Sequence, residues 1–169
     1  MVSIEKINEQ DINAIVAYVV AFRKRLYPEI DHNTLPKELA NFKQTYIINP
    51  LGAWFSVFLE GTHELVGTIS CHEYNYRYND LFCLDKNIKT SEVGKLYIDP
   101  SIRRKGIATS LFNALREQAK KQGIQCFYLH THHHLPGAKQ FWLKMGFTIQ
   151  KEMTLEDDGK DIIHMTLEL

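Results

Sequence analysis

Net charge is the first thing this chain lacks: 20 basic and 20 acidic side chains cancel, so no overall field draws it to nucleic acid or to an anionic lipid surface. Any anion site must therefore be local. Cysteine is scarce. Cys71, Cys83 and Cys126 are odd in number, widely spaced and form no Cys-x-x-Cys pair, which argues against a disulfide framework and fits a reducing compartment. Long apolar runs are missing too: Met1 to Lys6 carries none, and no window approaches the roughly 20 apolar residues of a membrane span. No linker, repeat or low-complexity tract interrupts the 169 residues, and that length buries about two-thirds of the unfolded surface in one core. The expectation is a single soluble, cytoplasmic domain over residues 1–169, with neither nucleic acid nor membrane as partner.

What the chain does have is an abrupt change of pattern at Leu96-Tyr97-Ile98-Asp99-Pro100-Ser101-Ile102-Arg103-Arg104-Lys105-Gly106-Ile107-Ala108-Thr109. An apolar, β-branched run stops at a proline, turns through basic residues and enters an amphipathic segment. That is a strand, a turn and a helix start. Unpaired N–H groups and the positive dipole end of a helix make an anion site, and Gly106 and Ala108 let phosphate oxygens approach the main chain. The other reading of this spacing is a tight strand-to-helix connection whose three cations are only solvated.

Elsewhere, Val2 to Ile7 predicts a first strand, and Ile12, Ile15, Val16, Val19 and Val20 recur at helical spacing toward Phe22, with Asp11 as the cap. A second helix is expected from Leu35, carrying Leu39, Phe42 and Tyr46 and ending at Asn49-Pro50; the polar segment Arg23 to Asn33 lies between the two. Trp54–Leu59 and Leu65–Ser70 read as a hairpin, Glu92–Ile98 as the next strand, and Leu111, Phe112, Leu115 and Ala119 as a helix closed by Lys120 to Gly123. A strand over Cys126–Thr131, a short helix over Ala138–Met145 and a last hairpin turning at Asp157-Asp158-Gly159 complete the chain. This order fits a mixed α/β sheet with helices on both sides.

The Arg-x-x-Gly-x-Ala spacing of Arg103, Gly106 and Ala108 resembles the acyl-CoA pyrophosphate loop of the GNAT (GCN5-related) N-acetyltransferase superfamily. Ala138-Lys139-Gln140-Phe141-Trp142-Leu143-Lys144-Met145-Gly146-Phe147 resembles that superfamily's second signature. The two cover roughly the second half of the chain, in the right order. The resemblance implies an α+β fold with a mostly antiparallel central sheet whose fourth and fifth strands splay to admit pantetheine. It implies acetyl-CoA as cosubstrate, an amine acceptor and no metal. The main chain of Leu96, Tyr97 and Ile98 would line the pantetheine arm. Arg103, Arg104, Lys105, Gly106, Ile107, Ala108 and Thr109 would hold the pyrophosphate, with further coenzyme contacts from Thr131, Phe141, Trp142 and Lys144.

Direct acetyl transfer needs an amine stripped of its proton, a donor for the developing oxyanion and a leaving thiolate. The resemblance gives the oxyanion to the amide of Leu96. Many relatives place a tyrosine in the short helix to protonate sulfur, where this chain has Trp142, an N–H donor that is no usable acid. Leu135 likewise stands where an asparagine often begins that segment. Glu92, eleven residues before Arg103, has the spacing of the general-base glutamate of histone acetyltransferase-type members. Unbroken strand alternation puts it on the side of Leu96 and Ile98. Its other roles are electrostatic binding of the amine or a solvated strand start.

In an extended segment His130, His132 and His134 share one face, suited to acid–base work, to three-imidazole zinc ligation or to structural polar contacts. His132 and Thr131 are expected to face the cleft, His132 as a catalytic candidate. Tyr74, Tyr76 and Tyr78 with Glu73 and Asp80 suggest an aromatic, acidic rim that suits an amine, an exposed loop, or a contact between two copies in a homodimer. Two readings follow: an acetyl-CoA-dependent N-acetyltransferase, or a non-catalytic acyl-CoA-binding or regulatory module. A nucleotidase loses its support because no Gly-Lys-Ser/Thr follows a glycine loop.

Overall fold

Seven strands share one sheet: β1 (Val2–Lys6), β2 (Ala53–Leu59), β3 (Glu64–Glu73), β4 (Thr90–Ile98), β5 (Cys126–Thr131), β6 (Thr148–Met153) and β7 (Ile162–Glu168). Their order is β1-β2-β3-β4-β5-β7-β6, and every neighbouring pair is antiparallel except β4 and β5. This computed structural model describes residues 1–78, 81, 84–159 and 161–169, residues 157 and 158 by their backbone. Cys83 and Asp80 fall outside them. Cys71 is a buried free thiol, and Cys126 is buried as well.

Helix α1 (Ile12–Leu26) buries Ile15, Val19 and Phe22 on one sheet face, where Leu39, Phe42, Tyr46 and Trp54 complete a cluster. Arg23 to Leu26, expected as loop, continues the helix, because Arg23, Lys24 and Arg25 complement the negative end of its dipole. Asp11 makes no capping bond; Asn8 caps the preceding turn by accepting from Gln10 N–H. The second expected helix is broken into α2 (Lys37–Ala40) and a π-helical turn, Gln44–Ile48. At the break the Asn41 side chain donates to the Lys37 carbonyl at 3.0 Å, competing with the helical ladder.

On the opposite face α3 (Ile107–Lys121) buries Ile107, Leu111, Phe112, Leu115 and Ala119, the stripe its spacing predicts. It packs beside α4 (Ala138–Lys144) over Val57, Ile69, Val93 and Phe127. A single turn, α5 (Leu155–Asp158), lies between β6 and β7 where a plain hairpin turn was expected, and Gly159 (φ 64°) follows it.

Trp142 belongs to this second core. It is 7% exposed, with ring centroids 5.8 Å from Phe112 and 5.4 Å from Phe147, both edge-on. Trp142→Ala should therefore cost about 3–5 kcal/mol of unfolding free energy in urea titration. A loss below about 1 kcal/mol, typical of surface positions, would show that this packing is not what Trp142 contributes.

Candidate active site

The sheet comes apart where a site is needed. Strands β4 and β5 pair only through Thr90, Ser91 and Glu92 against Cys126, Phe127 and Tyr128, after which both run on unpaired with each other. Between them opens a cleft of about 980 Å³. Its lining takes in Leu96, Tyr97, Ile98, Arg103, Arg104, Gly106, Ile107, Ala108, Thr109, Thr131, Phe141 and Trp142. Lys105 lies instead on a small groove with Met1, Val2 and Leu59, and Lys144 is exposed and apart from the cleft.

The register along β4 slips by one residue: Tyr97 faces Thr68, but Gly94 faces Ser70, so Lys95 and Leu96 have no partner on β3. Lys95 takes a left-handed φ of 55°, and the hydroxyls of Thr68 and Ser70 donate to the carbonyls of Lys95 (2.7 Å) and Gly94 (3.2 Å). This bulge reverses side-chain alternation. Val93 and Ile98 both reach the α3 core, while Tyr97 stacks on Phe22 of α1. Glu92 consequently stands on the face opposite Leu96 and Ile98, a correction to the alternation expected of an unbroken strand.

At the far end the chain turns into α3 through two left-handed residues, Arg104 (φ 63°) and Gly106 (φ 74°). A non-glycine residue held there is strained, which points to a constrained functional turn. A Cβ at position 106 would meet no atom within 4 Å; it would enter open cleft. Arg103 Nε donates back to the Ile98 carbonyl at 3.0 Å, holding the guanidinium against the strand.

The other end of the cleft is polar and charged. Glu92 is buried, and Arg77 Nη1 and Nη2 donate to its two oxygens at 2.6 Å each. His72, its direct partner across β3, places Nε2 at 3.7 Å, and His130 Nδ1 lies 3.3 Å from Oε1 without an aligned hydrogen bond. Burial alone pushes the Glu92 carboxyl up, but the Arg77 guanidinium and the His130 ring outweigh it and hold it down at about 2. Burial lowers His72, against the opposing pull of Glu92.

Because Glu92 titrates below its ordinary 4.5, this ion pair contributes fully above about pH 4.5 and is lost as pH falls toward 2. A shift of this size is worth about 3 kcal/mol. Unfolding free energy measured across that window should fall in the wild type, and the fall should be smaller in Glu92→Gln. Parallel curves would show that the pair does not govern acid stability.

His130, His132 and His134 do share one side, with ring centroids 5.7 Å and 5.3 Å apart in succession. The cleft takes in the first two. Asp161 gathers the loop: its main-chain oxygen meets His132 Nδ1, and its carboxylate accepts from the N–H groups of His133 (2.6 Å) and His134 (3.2 Å). Both rings approach that carboxylate at 2.6 Å through Nδ1. His132, His134 and Asp161 can each offer a ligand atom within 4.8 Å of the others, but this carboxylate is already engaged.

The expected tyrosine rim is absent from the cleft. Tyr74 is 2% exposed, 4.3 Å from the Tyr128 ring, and Tyr78 lies 4.6 Å from the His164 ring. Glu73 accepts from Asn49. Aromatic burial turns these side chains inward, and the segment sends Arg77 to the cleft instead. Arg77 and His72 escaped the sequence reading because their link to Glu92 exists only across strands. Arg23 was not singled out within Arg23 to Asn33, the segment over which the resemblance brings in the acceptor, because that segment read as loop and not as the end of α1.

A mostly antiparallel sheet that splits between its fourth and fifth strands, flanked by helices, is the fold of the GNAT acetyltransferases. The chain matches the Acetyltransferase (GNAT) family over residues 15–147, and it belongs to that family. A GNAT-family acetyltransferase from Staphylococcus aureus Mu50 superposes with a TM-score of 0.77 at 21% identity, covering 100% of this chain and 99% of its own. The putative acetyltransferase yncA from Salmonella typhimurium, solved with its cofactor acetyl-CoA, gives 0.70 at 19% identity, covering 100% and 94%. PaiA N-acetyltransferase from Thermoplasma acidophilum, in complex with coenzyme A, gives 0.64 at 19% identity, covering 100% and 99%. No curated protein matches the chain in sequence. Among the described residues no helix is long and apolar enough to cross a membrane.

Proposed function

We propose that this protein is an acetyl-CoA-dependent N-acetyltransferase that passes the acetyl group directly to an amine. The observation that carries the reading is the β4–β5 split. It opens one cleft from the Arg103–Thr109 turn to the Glu92–His130 cluster, long enough in chain terms for coenzyme at one end and acceptor at the other. Pantetheine would lie along β4, and the pyrophosphate would sit on the first-turn amides of α3, where the dipole favours an anion.

In this mechanism the amine nitrogen attacks the thioester carbonyl carbon, the oxyanion of the tetrahedral intermediate takes a hydrogen bond from the Leu96 amide at the bulge, and the C–S bond breaks. The proton lost by the amine goes to His130. Glu92 is a weak base with its carboxyl held at about 2, far from the working pH that suits proton transfer. Its role is electrostatic: the carboxylate, held in place by Arg77, lies 3.3 Å from His130 Nδ1 and favours the imidazolium that forms when Nε2 takes the amine proton. His132 stands beside this pair as a second imidazole on the cleft wall. Coenzyme A thiolate needs little help, since a thiol of pKa about 8.5 is a tolerable leaving group, and Trp142 supplies shape rather than a proton.

Calorimetric titration with acetyl-CoA, followed by a thiol-release assay with amines, tests the reading. Saturable binding with amine-dependent release of free thiol supports it. Binding without release for any amine would leave a non-catalytic coenzyme-binding module.

A further inference from the structure

We infer that the acceptor is a small amine carrying a carboxylate, of the α-amino acid type, whose anion is received by Arg23. The inference rests on the transferase reading above and names the substrate class of that same cleft. It comes from the charges facing the acceptor end. Both carboxylates on the cleft wall there are already neutralised within the protein: Glu92 by two hydrogen bonds from Arg77, and Glu38 by Lys95 at 2.9 Å. Neither has charge to spare for a polycation such as a polyamine or a lysine-rich tail.

Arg23, by contrast, is a half-buried cation on the same wall with no ion pair or hydrogen bond of its side chain among the described residues. A guanidinium removed from water without a partner is costly, and its planar fork matches a carboxylate better than any other anion receptor a protein has. Its position suits the task. Arg23 lies in the last turn of α1, one residue after the Phe22 that stacks on Tyr97 of β4, and one turn before Tyr27. The Tyr27 ring in turn reaches across to His132, with centroids 6.1 Å apart. Arg23 therefore stands on the α1 side of the cleft mouth, with the imidazoles on the β5 side. Leu26 and Ile30 add apolar surface beside it, and Ile30 is 45% exposed, so an acceptor with an apolar side chain has a wall to cover.

The test pairs acceptors that differ only in the carboxylate: L-leucine against isoamylamine, with spermidine as polycation, each in a thiol-release assay with the full chain and acetyl-CoA. Higher kcat/KM for L-leucine than for isoamylamine or spermidine is expected. Arg23→Gln should raise KM for L-leucine by about 10- to 100-fold, the worth of a charge-assisted contact, with kcat and the isoamylamine rate little changed. Arg23→Lys, which keeps the charge without the fork, should recover part of the loss. Preference for isoamylamine or spermidine, or an Arg23→Gln effect equal on both members of the pair, overturns the inference. So does absence of release with all three while acetyl-CoA still binds in calorimetry. Failure of acetyl-CoA to bind at all overturns the transferase reading beneath it.

Discussion

Gly106→Trp is expected to abolish saturable acetyl-CoA binding, weakening it by about 100-fold or more, a cost of about 3 kcal/mol typical of forced overpacking. The direction follows from the start of α3. A Cβ at position 106 would meet no atom within 4 Å beyond its chain neighbours, and Gly106 lines the cleft, so an indole there is expected to take coenzyme space instead of disturbing the core. The fold should survive with a loss of about 1–2 kcal/mol, because any non-glycine residue at φ 74° is strained. Gly106→Ala separates the two effects: it carries the same backbone strain but little bulk, and should keep most of the affinity. Calorimetry reads binding and urea titration reads stability. Wild-type affinity in the tryptophan variant would remove the pyrophosphate from this turn.

The second large effect concerns His130. With His130 as proton acceptor, His130→Gln should lower kcat by about 10²- to 10⁴-fold, the usual contribution of a positioned base, and leave acetyl-CoA affinity intact. Glu92→Gln should lower kcat less, by about 10- to 100-fold, since it removes the charge that favours the imidazolium without removing the imidazole. Steady-state thiol release gives both numbers. Unimpaired turnover in His130→Gln, with the larger loss in Glu92→Gln, would hand the proton back to the carboxylate. The ordering of the two variants matters more than either magnitude, because Glu92 also anchors Arg77, and its loss removes that guanidinium's ionic partner and leaves it only the Asn75 side chain and the Tyr78 ring.

These expectations divide according to how far apart in the chain their causes lie. The turn into α3 was legible because everything that makes it is consecutive: a strand ending before Pro100, small residues at 106 and 108, and the helical stripe of Leu111, Phe112, Leu115 and Ala119. Helical and strand periods are local properties, and so are the positive-φ demand at Gly106 and the dipole at the start of α3. The order of elements followed from the same local signals, and two signatures carried the family. Trp142 in place of a tyrosine, and hence the absence of an acid at that position, could also be read directly.

The reacting end could not. Glu92 read as a base candidate, an amine-binding carboxylate or a solvated strand start, on the side of Leu96 and Ile98, but the bulge at Lys95 and Leu96 turns it to the other face, and a bulge depends on hydroxyls of β3 that satisfy the released carbonyls. Arg77 sits in a segment whose tyrosines suggest an exposed rim. It reaches Glu92 because Tyr74 and Tyr78 find Tyr128 and His164 to pack against, strands away. The histidine run gave its shared face, while Asp161, which fixes His132, His133 and His134, lies just before β7. Sequence by itself determined the fold, the family and the strand–turn–helix that leads into α3, since those rest on local periodicity and backbone conformation. Only the tertiary structure decided which carboxylates on the cleft wall are neutralised, because electrostatic pairing depends on distance in space and burial, neither of which is written in sequence spacing.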